Sequence, residues 1–173
     1  MNATSIVIRT REGWLAAAAQ GKRILGVTLG APSCSAALAS LAATLNTRNS
    51  KLETGNSELL RRLSSDLERY FAGEPVDFTS YELDLDHMPP FLHRALVAAR
   101  RIPRGQVRSY GWLAKAAGNA KAARAAGQAM ARNPIPIIIP CHRVIASNGG
   151  LGGFGGGLEL KRRLLEMEGA RVG

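Results

Sequence analysis

Asn133-Pro134-Ile135-Pro136-Ile137-Ile138-Ile139-Pro140-Cys141-His142-Arg143-Val144-Ile145 is the stretch that decides how this chain is read. Each proline fixes its own φ and biases its predecessor toward extended geometry, so the isoleucine-rich run is expected as short extended pieces, not a helix. The run ends by setting a cysteine beside a histidine, between a stiff proline and an arginine. A cysteine in such surroundings is ordinarily a small buried hydrophobe. Here His142 and Arg143 can stabilise a thiolate, the nucleophilic form of the side chain. The local reading is a nucleophilic Cys141 on an extended strand.

Charge isolates the same region. Residues 1–86 hold nine Lys/Arg and ten Asp/Glu, whereas 87–158 hold ten Lys/Arg and no acid, so nearly all of the net +10 lies around the cysteine. A solvated basic face is the ordinary explanation of such a segment. A stretch this long without a carboxylate fits a polyanion better, because phosphates neutralised by Lys and Arg release counterions. Lipid is disfavoured: no helix pairs a Lys/Arg face with large apolar residues, and no run is long enough to span a membrane. The first residues lack a signal-peptide core, and two cysteines, Cys34 and Cys141, make no disulfide framework. A reducing compartment is expected, cytoplasmic, with association to the nucleoid in a prokaryote or a nuclear site in a eukaryote.

Along the chain, Ser5–Thr10, a strand opened by Gly13-Trp14, and Arg23–Leu29 read as an antiparallel meander. Ser35–Leu45 has helical spacing, Asn46–Asn56 reads as a polar loop, and Ser57 can cap a helix that ends at Gly73. Glu74–Pro90 reads as a loop plus a short strand. The expected organisation is 1–86 as an N-terminal α/β domain with its connecting loop and 87–173 as a DNA-binding and group-transfer domain, an α+β chain. Phe91–Arg101 is a helix stopped by Pro103. Tyr110–Ala117, capped by Ser109, then the Gly118-Asn119 turn, then Ala120–Arg132 have the spacing of a helix-turn-helix. The second of these helices is nearly smooth, with Lys121, Arg124, Gln128 and Arg132 projecting. Small residues also serve close helix packing, but basic and amide exceptions favour approach to a nucleic-acid groove. Ser147–Gly157 holds seven glycines around Phe154, and Leu158–Glu168 closes the chain as a helix.

Cysteine chemistry needs a proton acceptor and a group to orient it. His142 is the histidine adjacent in sequence. Neighbouring side chains on a strand face opposite ways, so a bridging water between sulfur and imidazole is plausible. The orienting carboxylate must lie outside the acid-free segment, with Glu159, Glu166 and Glu168 as candidates.

Pro140-Cys141-His142-Arg143-Val144, with Asn133-Pro134 before it, Gly149–Gly157 after it and Leu164-Leu165 leading to Glu168-Gly169, resembles the O6-alkylguanine-DNA alkyltransferase family, the methylated-DNA–protein-cysteine methyltransferases. The likeness runs from about Phe91 to Gly169. It implies a ribonuclease-H-like N-terminal domain and a winged-helix-type DNA-binding domain. It implies irreversible, single-turnover transfer of the alkyl group from O6-alkylguanine, and from O4-alkylthymine, in double-stranded DNA to Cys141 after the nucleotide is flipped out. Within it, Cys141, a water, His142 and Glu168 form the relay and Asn133 orders the turn. Tyr110 turns the base out and Arg124 fills the gap. Met130, the Val144 and Cys141 carbonyls, Phe154, Gly155 and Gly156 surround the base. Asn119, Lys121, Ala123, Gly127, Arg132 and Ser147 complete the DNA-contacting set.

One departure stands out: many relatives carry tyrosine where this chain has Phe154, so a hydrogen-bond donor to the leaving guanine is missing. The expected protein is a monomer without cofactor. Only Cys34, His87 and His93 stand outside the cysteine motif, so no structural zinc is expected either. The competing classes are a DNA-binding module that senses lesions without removing them, which would lack the cysteine, and a cysteine hydrolase, which would turn over.

Overall fold

The structure is a computed structural model and describes residues 2–45 and 52–172. It divides into two compact units, Met1–Asp84 and Leu85–Gly173. In the first, β1 (Ala3–Thr10), β2 (Gly13–Gln20) and β3 (Arg23–Val27) form the meander, with β1 against β2 and β2 against β3 antiparallel. The tight β1–β2 turn needs Gly13 at φ 101°. On β2, Ala16, Ala17, Ala18 and Ala19 are all buried, as a central strand covered on both faces requires.

Helix α1 (Cys34–Leu45) lays Ala37, Leu41 and Leu45 over Ala3, Ala16, Ala18 and Leu25. Alternation along the strand sends Leu15, Ala17 and Ala19 to the other face. Helix α2 (Glu58–Phe71) packs against β1 and β2 through a stripe that includes Leu60, Leu63, Leu67 and Phe71. Ser57 Oγ accepts from Leu60 N–H at 3.2 Å, satisfying one of the free amides of the first turn. Two strands extend the sheet in parallel, giving the order β4-β1-β2-β3-β5: β4 (Leu52–Thr54) beside β1, and β5 (Glu82–Leu83) beside β3. The expected polar loop 46–56 is thus corrected over Leu52–Thr54, and its residues 46–51 lie outside the described residues.

In the second unit, α3 (Pro90–Arg100) packs on α4 (Tyr110–Ala116) and α5 (Ala123–Ala131). Ser109 Oγ caps α4 through Trp112 N–H at 3.0 Å, and Gly118 turns the chain at φ 95°. Helix α5 begins three residues later than its alanine content suggests. Asn119 Oδ1 accepts from Lys121 N–H at 3.1 Å, so a side chain competes with the helix for the first amides. A short parallel pair, β6 (Arg108–Ser109) with β7 (Val144–Ile145), joins the start of α4 to the cysteine segment. Helix α6 (Leu158–Met167) buries Leu160, Leu164 and Leu165. Among the described residues no helix is long and apolar enough to cross a membrane.

Candidate active site

Asn133 builds the turn that presents the cysteine. Its Oδ1 accepts from Ile135 N–H at 3.0 Å and its Nδ2 donates to the Ile139 carbonyl at 2.9 Å, so one amide holds both ends of the proline–isoleucine run. Between them Ile137 sits at φ 71°, a region that β-branched residues avoid. Cys141–Arg143 then forms a 3₁₀ turn, closed by Arg143 N–H to the Pro140 carbonyl at 3.0 Å. The extended strand expected through Cys141 is therefore corrected. Proline leaves no donor at position 140, and the chain tightens before β7 begins at Val144. Alternation of strand faces does not govern how Cys141 and His142 point.

Cys141 is 6% exposed, yet it lines a cavity of about 850 Å³. That volume lies within the ~300–1,000 Å³ of small-molecule sites. Burial pushes the thiol pKa up, opposed by the Asn133 side chain and by the charge of Lys161. The sulfur therefore rests as a thiol, and it needs a base at the moment of attack.

His142 is fully buried, with Nε2 2.9 Å from Glu168 Oε1. Burial drives the imidazole pKa down more than Glu168 raises it, so the ring is neutral. The contact is a ring N–H donating to a carboxylate, which makes Nδ1 the acceptor nitrogen. Arg143 completes the set: Nε donates to Glu168 Oε2 and Nη2 to Oε1, each at 2.8 Å, and Nη1 donates to the Ile102 carbonyl at 2.6 Å. Burial alone would raise the Glu168 carboxyl, but the hydrogen bonds from His142 and Arg143 outweigh it and hold the group well below the usual carboxylate range. Of the three candidate glutamates, this is the one brought to His142. Arg143 is turned to Glu168, which corrects the expectation that it stabilises the thiolate.

Tyr110, Ala123, Arg124, Gly127, Met130, Ser147, Phe154 and Gly155 line the same cavity as Cys141. Tyr110 is half-buried, with its hydroxyl 3.5 Å from the Gly153 carbonyl, and burial raises its pKa, so it remains a donor. A Cβ on Gly152 would come within 2.7 Å of that hydroxyl, which explains a glycine at φ 71° there. Val144, Gly156, Asn119, Lys121 and Arg132 are not in the lining. The Val144 carbonyl accepts from Lys161 Nζ at 2.6 Å and keeps a second lone pair. Asn119 and Lys121 are exposed in the inter-helix turn, and Arg132 is exposed at the end of α5.

Lys161 escaped sequence reasoning. It is 0% exposed and is the lysine whose charge reaches Cys141. Its signal was spacing: it stands three and four residues before Leu164 and Leu165, on the apolar stripe of α6, where a lysine is out of place.

The arrangement is a thiol at the wall of a largely apolar cavity, beside a buried imidazole–carboxylate pair, with an exposed arginine and a tyrosine on the neighbouring walls. It suits capture of an electrophilic carbon from a planar ligand. A family model described as the DNA-binding domain of 6-O-methylguanine DNA methyltransferase matches residues 90–170. The methylated-DNA–protein-cysteine methyltransferase of Methanosarcina acetivorans is 47% identical over 118 residues, covering 66% of this chain and 72% of the relative. The protein of that name from Mycobacterium leprae is 52% identical over 104 residues, 60% of this chain and 62% of the relative. The crystal structure of Mycobacterium tuberculosis OGT in complex with DNA superposes with a TM-score of 0.75 at 35% identity, covering 95% of this chain and 92% of that one.

Proposed function

The chain belongs to the methylated-DNA–protein-cysteine methyltransferases, and from that premise we propose that Cys141 accepts the alkyl group of O6-alkylguanine in double-stranded DNA. The observation that carries this is the placement of one thiol on the wall of a cavity with room for an extruded base and next to a His142–Glu168 pair. An alkyl group on O6 is buried in the base stack, so the nucleotide must leave the duplex to reach the sulfur. Arg124, exposed on α5 at the cavity, takes the vacated place, and Tyr110 crowds the backbone of the extruded nucleotide.

In the reaction, Sγ attacks the alkyl carbon as its proton passes through a water to His142 Nδ1. The S–C bond forms and the C–O6 bond breaks, leaving its electron pair on the guanine. Glu168 stabilises the imidazolium, whose proton then passes through water to N1 of the guanine anion, so His142 is neutral again and the products are a thioether and unmodified guanine. Tyr110 supplies a phenol O–H to the cavity where Phe154 does not. The C–S bond of a thioether neither hydrolyses nor exchanges with thiols in neutral water, so each molecule acts once. In this account α4 and α5 are the DNA-contacting helix-turn-helix of a winged-helix-type unit, and the first unit is ribonuclease-H-like.

Incubation with a duplex carrying O6-methylguanine should place one methyl group on the Cys141 peptide, read by mass spectrometry. A Cys141→Ala protein that still takes up the methyl group would end the proposal.

A further inference from the structure

Lysine is almost never fully buried unless something answers its charge. Lys161 is 0% exposed, whereas its neighbours Arg162 and Arg163 are exposed. No carboxylate among the described residues pairs with it. Its ammonium donates to two carbonyls, Val144 at 2.6 Å and Gly153 at 3.2 Å, and stands 5.8 Å from the centroid of the Tyr110 ring. Those contacts join the end of the cysteine turn, the glycine-rich loop and the first residue of α4, which are three walls of one site.

We propose that Lys161 is a positioning residue for alkyl transfer: it clamps the glycine-rich loop to the cysteine turn and supplies the positive charge that favours ionisation of the Cys141 sulfur. The two other cations expected to do this are otherwise engaged. His142 is neutral and bonded to Glu168, and Arg143 is held by the same carboxylate. The groups that face Lys161 are the Cys141 thiol and the His142 ring from the turn and the Tyr110 phenol from α4. The Arg143–Glu168 pair lies beyond His142. Burial brings Lys161 down to about 8, with the Cys141 charge pulling the other way. At neutral pH the group is therefore still an ammonium, held by two carbonyls beside the cysteine turn.

The proposal rests on the alkyl-transfer reading, and its test has one arm that does not use DNA. In that arm the full chain, Lys161→Met and Lys161→Arg are alkylated with iodoacetamide across pH, and the Cys141 peptide is followed by mass spectrometry separately from that of Cys34. Lys161→Met should raise the midpoint of Cys141 reactivity by about one pH unit or more, and Lys161→Arg should stay near the parent. In the second arm, O6-methylguanine duplex at saturation should be repaired at least about tenfold more slowly by Lys161→Met, with DNA affinity within about threefold. Slower transfer with an unmoved thiol midpoint would reduce Lys161 to a structural tie and overturn the proposal. Should Lys161→Met fail to fold, Lys161→Gln, which keeps an N–H donor for the two carbonyls without the charge, takes its place, and a Cys141 midpoint at the parent's value overturns the proposal equally. A parent that takes no methyl group defeats the functional reading alone, while the iodoacetamide arm still judges Lys161.

Discussion

Glu168 is the residue on which the chemistry hangs, because one carboxylate accepts from His142 and twice from Arg143. Its folded pKa is depressed, so its contribution to stability is complete above the unfolded value of about 4.3 and is lost as pH falls below it. His142 is depressed too: buried neutral, it costs stability once pH drops below about 6.5. The melting temperature should therefore fall in two stages on acidification. Glu168→Gln should lose about 3 kcal/mol at neutral pH, since it leaves the largely buried Arg143 guanidinium without its counter-charge. It should also lack the lower stage, whereas the stage due to His142 remains. Thermal melts of both proteins between about pH 2 and 8 check this, and a variant that keeps the lower stage would remove Glu168 as its source.

At the scale of elements, α6 does the positioning. Lys161 and Glu168 stand seven residues apart, close to two full turns, so one face of one helix carries both charged groups to the cysteine turn. The partner element is the Asn133 turn. Asn133→Ala would leave the Ile135 N–H and the buried Ile139 carbonyl without their side-chain partner, at a cost of about 2 kcal/mol. The urea midpoint should drop accordingly, and an unchanged midpoint would show that the turn holds by itself. Much of this was readable beforehand. The leucines of α2 and the cap Ser57 announced that helix, and the Leu-Leu-x-x-Glu-Gly context picked out Glu168. What escaped has physical causes. Leu52–Thr54 has no pattern of its own and exists as a strand through pairing with β1. The start of α5 was displaced by the Asn119 side chain. Lys161 drew no reading as a site residue, because charge usually means water, and here two carbonyls distant in sequence replace the water.

For the whole molecule the asymmetry of charge sets the behaviour on DNA. The acid-free segment 87–158 lies within the second unit, and its exposed cations include Lys121, Arg124 and Arg132. Affinity should fall linearly with the logarithm of salt concentration, by about 0.9 log units per decade for each phosphate neutralised. Lys121→Ala and Arg132→Ala should each flatten that slope by about 1 without altering sequence preference. Fluorescence anisotropy over a salt series measures it, and an unaltered slope would take that residue off the phosphate backbone. Ile137, held at φ 71°, bears on how the molecule assembles. A β-branched residue does not choose that conformation as a free peptide, so the loop bearing the sulfur cannot seed its own shape. Its geometry is imposed from outside, by the Asn133 amide and the helices packed around it, so loosening that scaffold disarms the nucleophile without touching it.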